Sequence, residues 1–320
     1  MRSGAEALSM LGAPLNVNIL QTLDEGSGPT SLPDLRRAIG HPPVTTMRSY
    51  MRRLVDLDIV KRHREDDFPG SVSYLITPRG RRLLAVGQAV QGWLRYSPEG
   101  SMELGTTAAK SAVKAFVDGW STGLVRALAA RPLGLTELNR VIPQVSYPTL
   151  ERRLSAMRQV GLIEPDDHNS NGRVSRCQVS PWMRQSVAPL TAAVGWECVC
   201  VPDRMPAPAK IDAEAALLLA VPTLELPTDT DGTCRLAVEF RRGSELEFAG
   251  VTANIAEGEV RACVARVEGR SDAWVTGGVL DWFRWMRGTP GHQIEIGGDP
   301  SIAHAVADGL RSSFLVPAGE

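Results

Sequence analysis

The stretch Leu32-Pro33-Asp34-Leu35-Arg36-Arg37-Ala38-Ile39 returns 103 residues later as Leu135-Thr136-Glu137-Leu138-Asn139-Arg140-Val141-Ile142. The offset holds without a gap as far as Tyr74-Leu75-Ile76-Thr77-Pro78, which falls on Cys177-Gln178-Val179-Ser180-Pro181. Identities are few: Leu32, Leu35, Arg37, Ile39, Thr46 and Pro78 match their partners. The apolar pattern is kept far better. Met47, Met51, Leu54 and Leu57 fall on Leu150, Leu154, Met157 and Val160, and Ile59-Val60 falls on Leu162-Ile163. Self-similarity at a fixed period marks a repeated supersecondary unit.

Each copy has the same order of signals. An apolar-periodic helix comes first, carrying Leu15, Ile19, Leu20 and Leu23, or Leu124, Val125 and Leu128. A short second helix carries Leu35 and Ile39, or Leu138 and Ile142. The breakers Gly40-His41-Pro42-Pro43, or Pro143-Gln144-Val145-Ser146, make a turn. A third helix is expected to start near Thr45 or Ser146, both good caps, with Pro148 tolerated in a first turn. Strands Ile59 to His63 and Ser71 to Ile76 flank the loop Arg64-Glu65-Asp66-Asp67-Phe68-Pro69-Gly70. The second copy has Leu162 to Glu164 and Arg173 to Val179 around a polar loop. Closing helices run from Arg79 to Tyr96 and from Trp182 to about Trp196. Three helices, a hairpin and a closing helix make a winged helix-turn-helix.

Tyr74-Leu75-Ile76-Thr77-Pro78-Arg79-Gly80-Arg81-Arg82-Leu83 resembles the strand-to-helix signature of HxlR-type winged-helix regulators, relatives of the MarR group. The second copy is similar through Leu150 to Arg153, Val160-Gly161-Leu162-Ile163 and Ser180-Pro181-Trp182. The resemblance spans roughly residues 8–98 and 108–197 and implies DNA binding. Such regulators usually carry one domain and dimerise, whereas this chain carries two copies. It also has Asp58 where the pattern, and Gly161 of the second copy, expects glycine.

A helix-turn-helix lays its third helix in the major groove. With Met47, Met51 and Leu54 inward, a step of about 100° per residue turns Thr45, Arg48, Ser49 and Arg52 outward, with Arg53 beside them. The second copy places Pro148, Glu151, Arg152 and Ser155 there, with Ala156 beside them. Arg48, Arg52 and Arg152 suit bidentate contact with guanine, and Glu151 suits cytosine or a neighbouring arginine. Thr46 and Thr149 suit phosphate, and the wings offer Arg62, Arg64, Arg173 and Arg176. Against this, arginines on a helix are often only a solvated face, and the acids of the first wing would repel phosphate. Closing helices packed together would let two copies mimic a dimer reading an imperfect palindrome; one copy reading bases alone, and further homodimerisation, both stay open.

Residues 201–210 read as a proline-rich linker. A helix Asp212 to Ala220, strands Arg235 to Phe240, Glu245 to Val251 and Val260 to Val267, and a further strand at Ala273 to Thr276 follow. Then come a helix Gly278 to Met286, a strand His292 to Ile296 and a helix Ser301 to Phe314. This predicts an α+β meander with helices on one side. Ala273-Trp274-Val275-Thr276-Gly277, Leu280-Asp281-Trp282 and Gly297-Gly298-Asp299 resemble a sterol carrier protein-like domain over about residues 211–317. That resemblance implies an apolar tunnel for a greasy ligand, with Trp274, Trp282, Phe283, Trp285 and Met286 as candidate lining. The same aromatics also suit a plain core.

The expected fold class is therefore mainly α with α+β. Two tandem winged helix-turn-helix domains (1–104 and 105–200) precede an α+β domain (211–320). At 320 residues, with 43% apolar and 22% charged residues, the chain has globular composition. Net charge is −1, but it divides as +2 over residues 1–104, +4 over 105–197 and −7 over 198–320. A polyanion would meet the front. The longest uncharged apolar run, Ala215 to Leu224, is half of the roughly 20 residues a membrane span needs. An acid, Glu6, sits where a secretory signal would be apolar, and cysteines are five, so a cytoplasmic location is expected. The histidines are scattered, Cys198-Val199-Cys200 has no second pair, and neither a phosphate loop nor a nucleophile elbow is present. No cofactor, metal or enzymatic activity is therefore expected. The favoured function is a sequence-specific DNA-binding transcription regulator, modulated by a hydrophobic small molecule in the third domain. One alternative is a small-molecule binding protein whose winged helices serve assembly; the other is a DNA-repair or DNA-modifying enzyme.

Overall fold

A computed structural model describes residues 3–64, 72–166, 176–202, 208–286, 288 and 290–314. The first unit runs α1 (Ala5–Leu11), α2 (Pro14–Glu25), β1 (Thr30–Ser31), α3 (Leu32–Ala38), α4 (Val44–Asp56), β2 (Val60–Arg64), β3 (Val72–Ile76) and α5 (Pro78–Arg95). The strands pair antiparallel in the order β1-β3-β2. Leu20, Leu35, Met47, Met51, Leu54 and Leu83 share one dry core, which the helical spacing of these residues demands. This is the three-helix, winged-hairpin arrangement expected. Two corrections arise at its edges. α1 was not foreseen, because seven residues between Gly4 and Gly12 carry too short a period. α4 starts at Val44 with Pro43 as its cap, so Thr45 lies inside the helix, one of its first free amides rather than its cap.

The second unit runs α6 (Thr107–Thr122), α7 (Leu124–Ala130), α8 (Leu135–Val141), α9 (Tyr147–Gln159), β4 (Ile163–Pro165), β5 (Cys177–Val179), α10 (Pro181–Arg184) and α11 (Val187–Cys200). The closing helix is thus two helices, parted at Gln185–Ser186. Several contacts recur at the 103-residue offset. Thr30 faces Tyr74 across β1 and β3, and Leu133 faces Cys177. The Ile59 amide donates to Leu54 and the Leu162 amide to Met157, each at 2.9 Å. The Thr77 hydroxyl donates to the Asp58 carbonyl and the Ser180 hydroxyl to that of Gly161, each at 2.7 Å. Each hydroxyl also accepts an amide of the following helix, from Gly80 or Met183, at 3.1 Å. The Ser/Thr-Pro pair thus ends the wing and caps the next helix in one step.

The clamped residues both hold a left-handed backbone, Asp58 at φ 54° and Gly161 at φ 75°. A Cβ at Gly161 would stand 2.4 Å from Pro98 Cγ, in the segment joining the units. Gly161→Ala is therefore expected to lose about 2–4 kcal/mol, from left-handed strain plus overpacking. Asp58→Gly relieves strain at the matching position and is expected to be neutral or mildly stabilising. Urea denaturation of both variants checks this; a loss below about 1 kcal/mol for Gly161→Ala contradicts the account.

The two closing helices, α5 and α11, pack together, as the sequence suggested. Trp93 and Trp182 stack at 4.5 Å and 8°. The Trp93 indole donates to the Trp182 carbonyl at 3.0 Å, and the Trp196 indole donates to the Arg79 carbonyl at 3.1 Å. Those two bonds exchange under the 103-residue offset: Trp93 corresponds to Trp196, and Arg79 to Trp182. Reciprocal contact of this kind is what a two-fold interface requires, here within one chain. α1 seals the joint against α6 and α11. The Glu197 carboxylate, 2% exposed, accepts the α1 amides of Gly4 (2.5 Å), Glu6 (3.0 Å) and Ala7 (2.9 Å). Burial pushes its pKa up, and those three amides oppose the rise.

The third unit contains α12 (Lys210–Ala220), a short 3₁₀ turn Val221–Thr223, β6 (Gly232–Arg242), β7 (Glu245–Ala256), β8 (Glu259–Val264), β9 (Ala273–Gly278), α13 (Val279–Met286), β10 (Glu295–Gly298) and α14 (Pro300–Phe314). Its sheet order is β10-β9-β6-β7-β8. The expected meander holds only for β6 to β8. β9 crosses the sheet and pairs parallel with β6, which neighbouring-strand reasoning missed. Cys234, Leu236, Val251, Ala253, Ala273 and Val275 bury one face, which the helices cover. The unit docks on α7 and α10: Arg126 pairs with Glu214 at 2.5 Å, and Arg184 donates to the Leu218 carbonyl at 2.9 Å. No helix among the described residues is long and apolar enough to cross a membrane.

Candidate nucleic-acid interface

α3 and α4 meet at a sharp turn. Gly40 and His41 both take left-handed φ, 81° and 58°, and the Arg36 Nε donates to the Pro42 carbonyl at 2.7 Å. That bond aims α4 outward, a bracing role for Arg36 that the sequence reading missed. Met47, Met51 and Leu54 are buried, which leaves Thr45, Thr46, Arg48, Ser49, Arg52 and Arg53 exposed. Arg48 and Arg52 have no acid partner among the described residues. Arg53 does: it pairs with Glu6 of α1. At 55% exposure against 14% for Glu6, this guanidinium anchors α1 to α4, so its free place on the outward face is corrected.

The first wing adds charge. Along β2 only Val60 is buried; Lys61, Arg62, His63 and Arg64 are all exposed. Lys61 was not singled out from sequence, although the run Lys-Arg-His-Arg could have found it. The acids Glu65-Asp66-Asp67 lie outside the described residues.

The second unit is poorer in cations at the matching places. Leu150, Leu154 and Met157 are buried, with Pro148, Glu151, Arg152 and Ser155 exposed and Ala156 half-buried. Thr149 is half-buried, its hydroxyl 2.9 Å from that of Ser146. Arg176 is not a free wing cation, a correction: it pairs with Glu137 at 3.0 Å. The Glu137 carboxylate also accepts the Gly134 amide at 2.9 Å, and this bond, then Arg176, holds its pKa down. Arg173 lies outside the described residues. Where β2 has Lys61 and Arg62, β4 has Glu164 and Pro165. The basic face is therefore the one built by α4 and β2.

Residues 10–100 match the HxlR-like helix-turn-helix family. The chain has no match among curated proteins. The matched HxlR-like region contains α2 to α5, and thus all of α4 and β2.

The candidate ligand residues of the third unit divide between the two sheet faces. Trp282, Phe283 and Met286 of α13 meet Trp120, Leu190 and Val194 of the second unit around an apolar cavity of about 80 Å³. Trp285 packs edge-on to Trp282 at 5.5 Å, with Arg311 over its ring at 5.8 Å. Trp274 belongs to the opposite face, because residues alternate along β9. That cavity is smaller than the roughly 300–1,000 Å³ usual for a ligand pocket, but a hollow of about 510 Å³ adjoins it and shares Pro208, Phe240 and Val279. That hollow lies between Glu197 and Cys198 of α11 and Val279 to Asp281 of α13.

Proposed function

We propose that the chain is a sequence-specific DNA-binding transcriptional regulator, with two winged helix-turn-helix units joined as an internal dimer and base reading concentrated in the first. The observation that carries this is the exposed pair Arg48 and Arg52, without an acid partner among the described residues, on the third helix of a region matching the HxlR-like family. One helical turn apart, they suit successive guanines in the major groove. The α4 amides at Val44, Thr45 and Thr46 suit a phosphate, and Lys61, Arg62 and Arg64 suit the flanking backbone. On the outward face of α9 Arg152 offers a comparable contact, and Glu164 of β4 repels phosphate. A strong half-site beside a weak one follows, with the internal pair standing in for a homodimer.

The third unit acts as the sensor in this reading. The 80 Å³ cavity is walled by α13 on one side and by α6 and α11 on the other. A hydrophobic molecule entering it pushes on α11, which packs on α5, and so alters the spacing of α4 and α9. Regulation follows only if the ligand prefers one spacing.

Selection from randomised duplex DNA at two salt concentrations tests the function. One dominant half-site motif is expected, with log K falling linearly in log salt at a slope set by about four to eight phosphate contacts. Recovery of no motif, with binding indifferent to salt, ends the proposal.

A further inference from the structure

The face of the five-stranded sheet away from α12, α13 and α14 carries a hollow of about 360 Å³ over β6, β7 and β9. Arg235 and Ala237 of β6 lie opposite Trp274 and Thr276 of β9 in the parallel register, so all four share this face. Phe248 of β7 joins them, and Val267 and Glu268 of the β8–β9 crossover form the rim. Beyond Arg235 and Trp274 the hollow continues into a second one of about 410 Å³. Gly297 leaves room for the Trp274 ring: a Cβ there would stand 2.3 Å from the indole.

Two polar atoms in this hollow are buried without a hydrogen bond, Arg235 Nε and Thr276 Oγ1. Arg235 reaches the Gly269 carbonyl through Nη2, but meets no carboxylate among the described residues. A half-buried guanidinium with an unmet N–H and no counter-ion costs stability unless something else supplies the acceptor. An orphan hydroxyl on the neighbouring strand, the Trp274 ring next to both and the hollow that all three line make a site for such a group. The exposed Glu268 at the rim, within a stretch (198–320) of net charge −7, disfavours polyanions.

We propose that this open face binds a small monocarboxylate with an apolar body. The carboxylate accepts the Arg235 Nε–H and the Thr276 hydroxyl, and the apolar body packs on Trp274 and Phe248. The site is separate from the cavity under α13 and does not rest on the DNA-binding reading.

Calorimetric titration of the full chain with 1-naphthoate, and with neutral 1-naphthylmethanol as its uncharged counterpart, tests the proposal. Saturable naphthoate binding is expected, with the alcohol at least tenfold weaker. Arg235→Gln and Thr276→Val should each raise the naphthoate Kd tenfold or more. If thermal melting shows that Arg235→Gln has lost its fold, Thr276→Val carries the comparison alone. No saturable binding at millimolar naphthoate, equal binding of the alcohol, or unchanged affinity in a folded variant each overturns it.

Discussion

Arg48→Ala combined with Arg52→Ala is expected to weaken binding to the selected DNA site by about 30-fold to about 20,000-fold. Each bidentate arginine–guanine contact discriminates by roughly 1–3 kcal/mol, and two such contacts span that range. Both side chains are exposed and have no acid partner among the described residues, so the folded state should lose less than about 0.5 kcal/mol. The affinity change is then read without a folding change beneath it. Arg152→Ala in the second unit should cost tenfold or less. Fluorescence anisotropy with the selected duplex and a one-base variant separates these outcomes. A double variant that keeps full affinity and the same motif would show that α4 does not read bases.

Trp93→Ala should remove about 3–5 kcal/mol of stability. Trp93 is 4% exposed, stacks on Trp182 and leans on Phe116 at 5.7 Å. Its loss opens a cavity at the joint between units and strips the Trp182 carbonyl of its donor. Trp93→Phe keeps most of the ring contact, so it should cost much less than the truncation. Tyr96→Ala, three residues on and 70% exposed, should change stability by less than about 0.5 kcal/mol. Guanidinium denaturation followed by far-UV circular dichroism measures all three. If Trp93→Ala is as mild as Tyr96→Ala, the two units do not depend on this joint.

Much of the first unit is legible in its residue spacing. Met47, Met51 and Leu54 recur at helical intervals, which assigns the inward face of α4 and hence the outward places of Arg48 and Arg52. The offset of 103 predicted matching elements, and hydrogen bonds at Ile59 and Leu162, and at Thr77 and Ser180, recur at that offset. The position where the pattern expects glycine takes a left-handed backbone in both copies, at Gly161 and at Asp58.

What escaped the sequence depends on residues far apart along the chain. Glu6 and Arg53 are 47 positions apart, and Arg176 and Glu137 are 39, so no local period marks either pairing. Arg53 and Arg176 are cations by sequence but structural anchors by contact. The five candidate ligand residues looked like one group because they are near in sequence. The crossing of β9 beside β6, with strand alternation, placed Trp274 on the opposite face from Trp282, Phe283 and Met286.

Residue spacing by itself therefore determined α2 to α5, the strands of the first wing and the inward face of α4, because side-chain burial repeats every 3.6 residues in a helix and every two in a strand. Only the tertiary structure decided which cations remain free, how α5 and α11 join the units and which sheet face stays open. Those outcomes depend on the path that brings distant segments together, which no short-range pattern encodes.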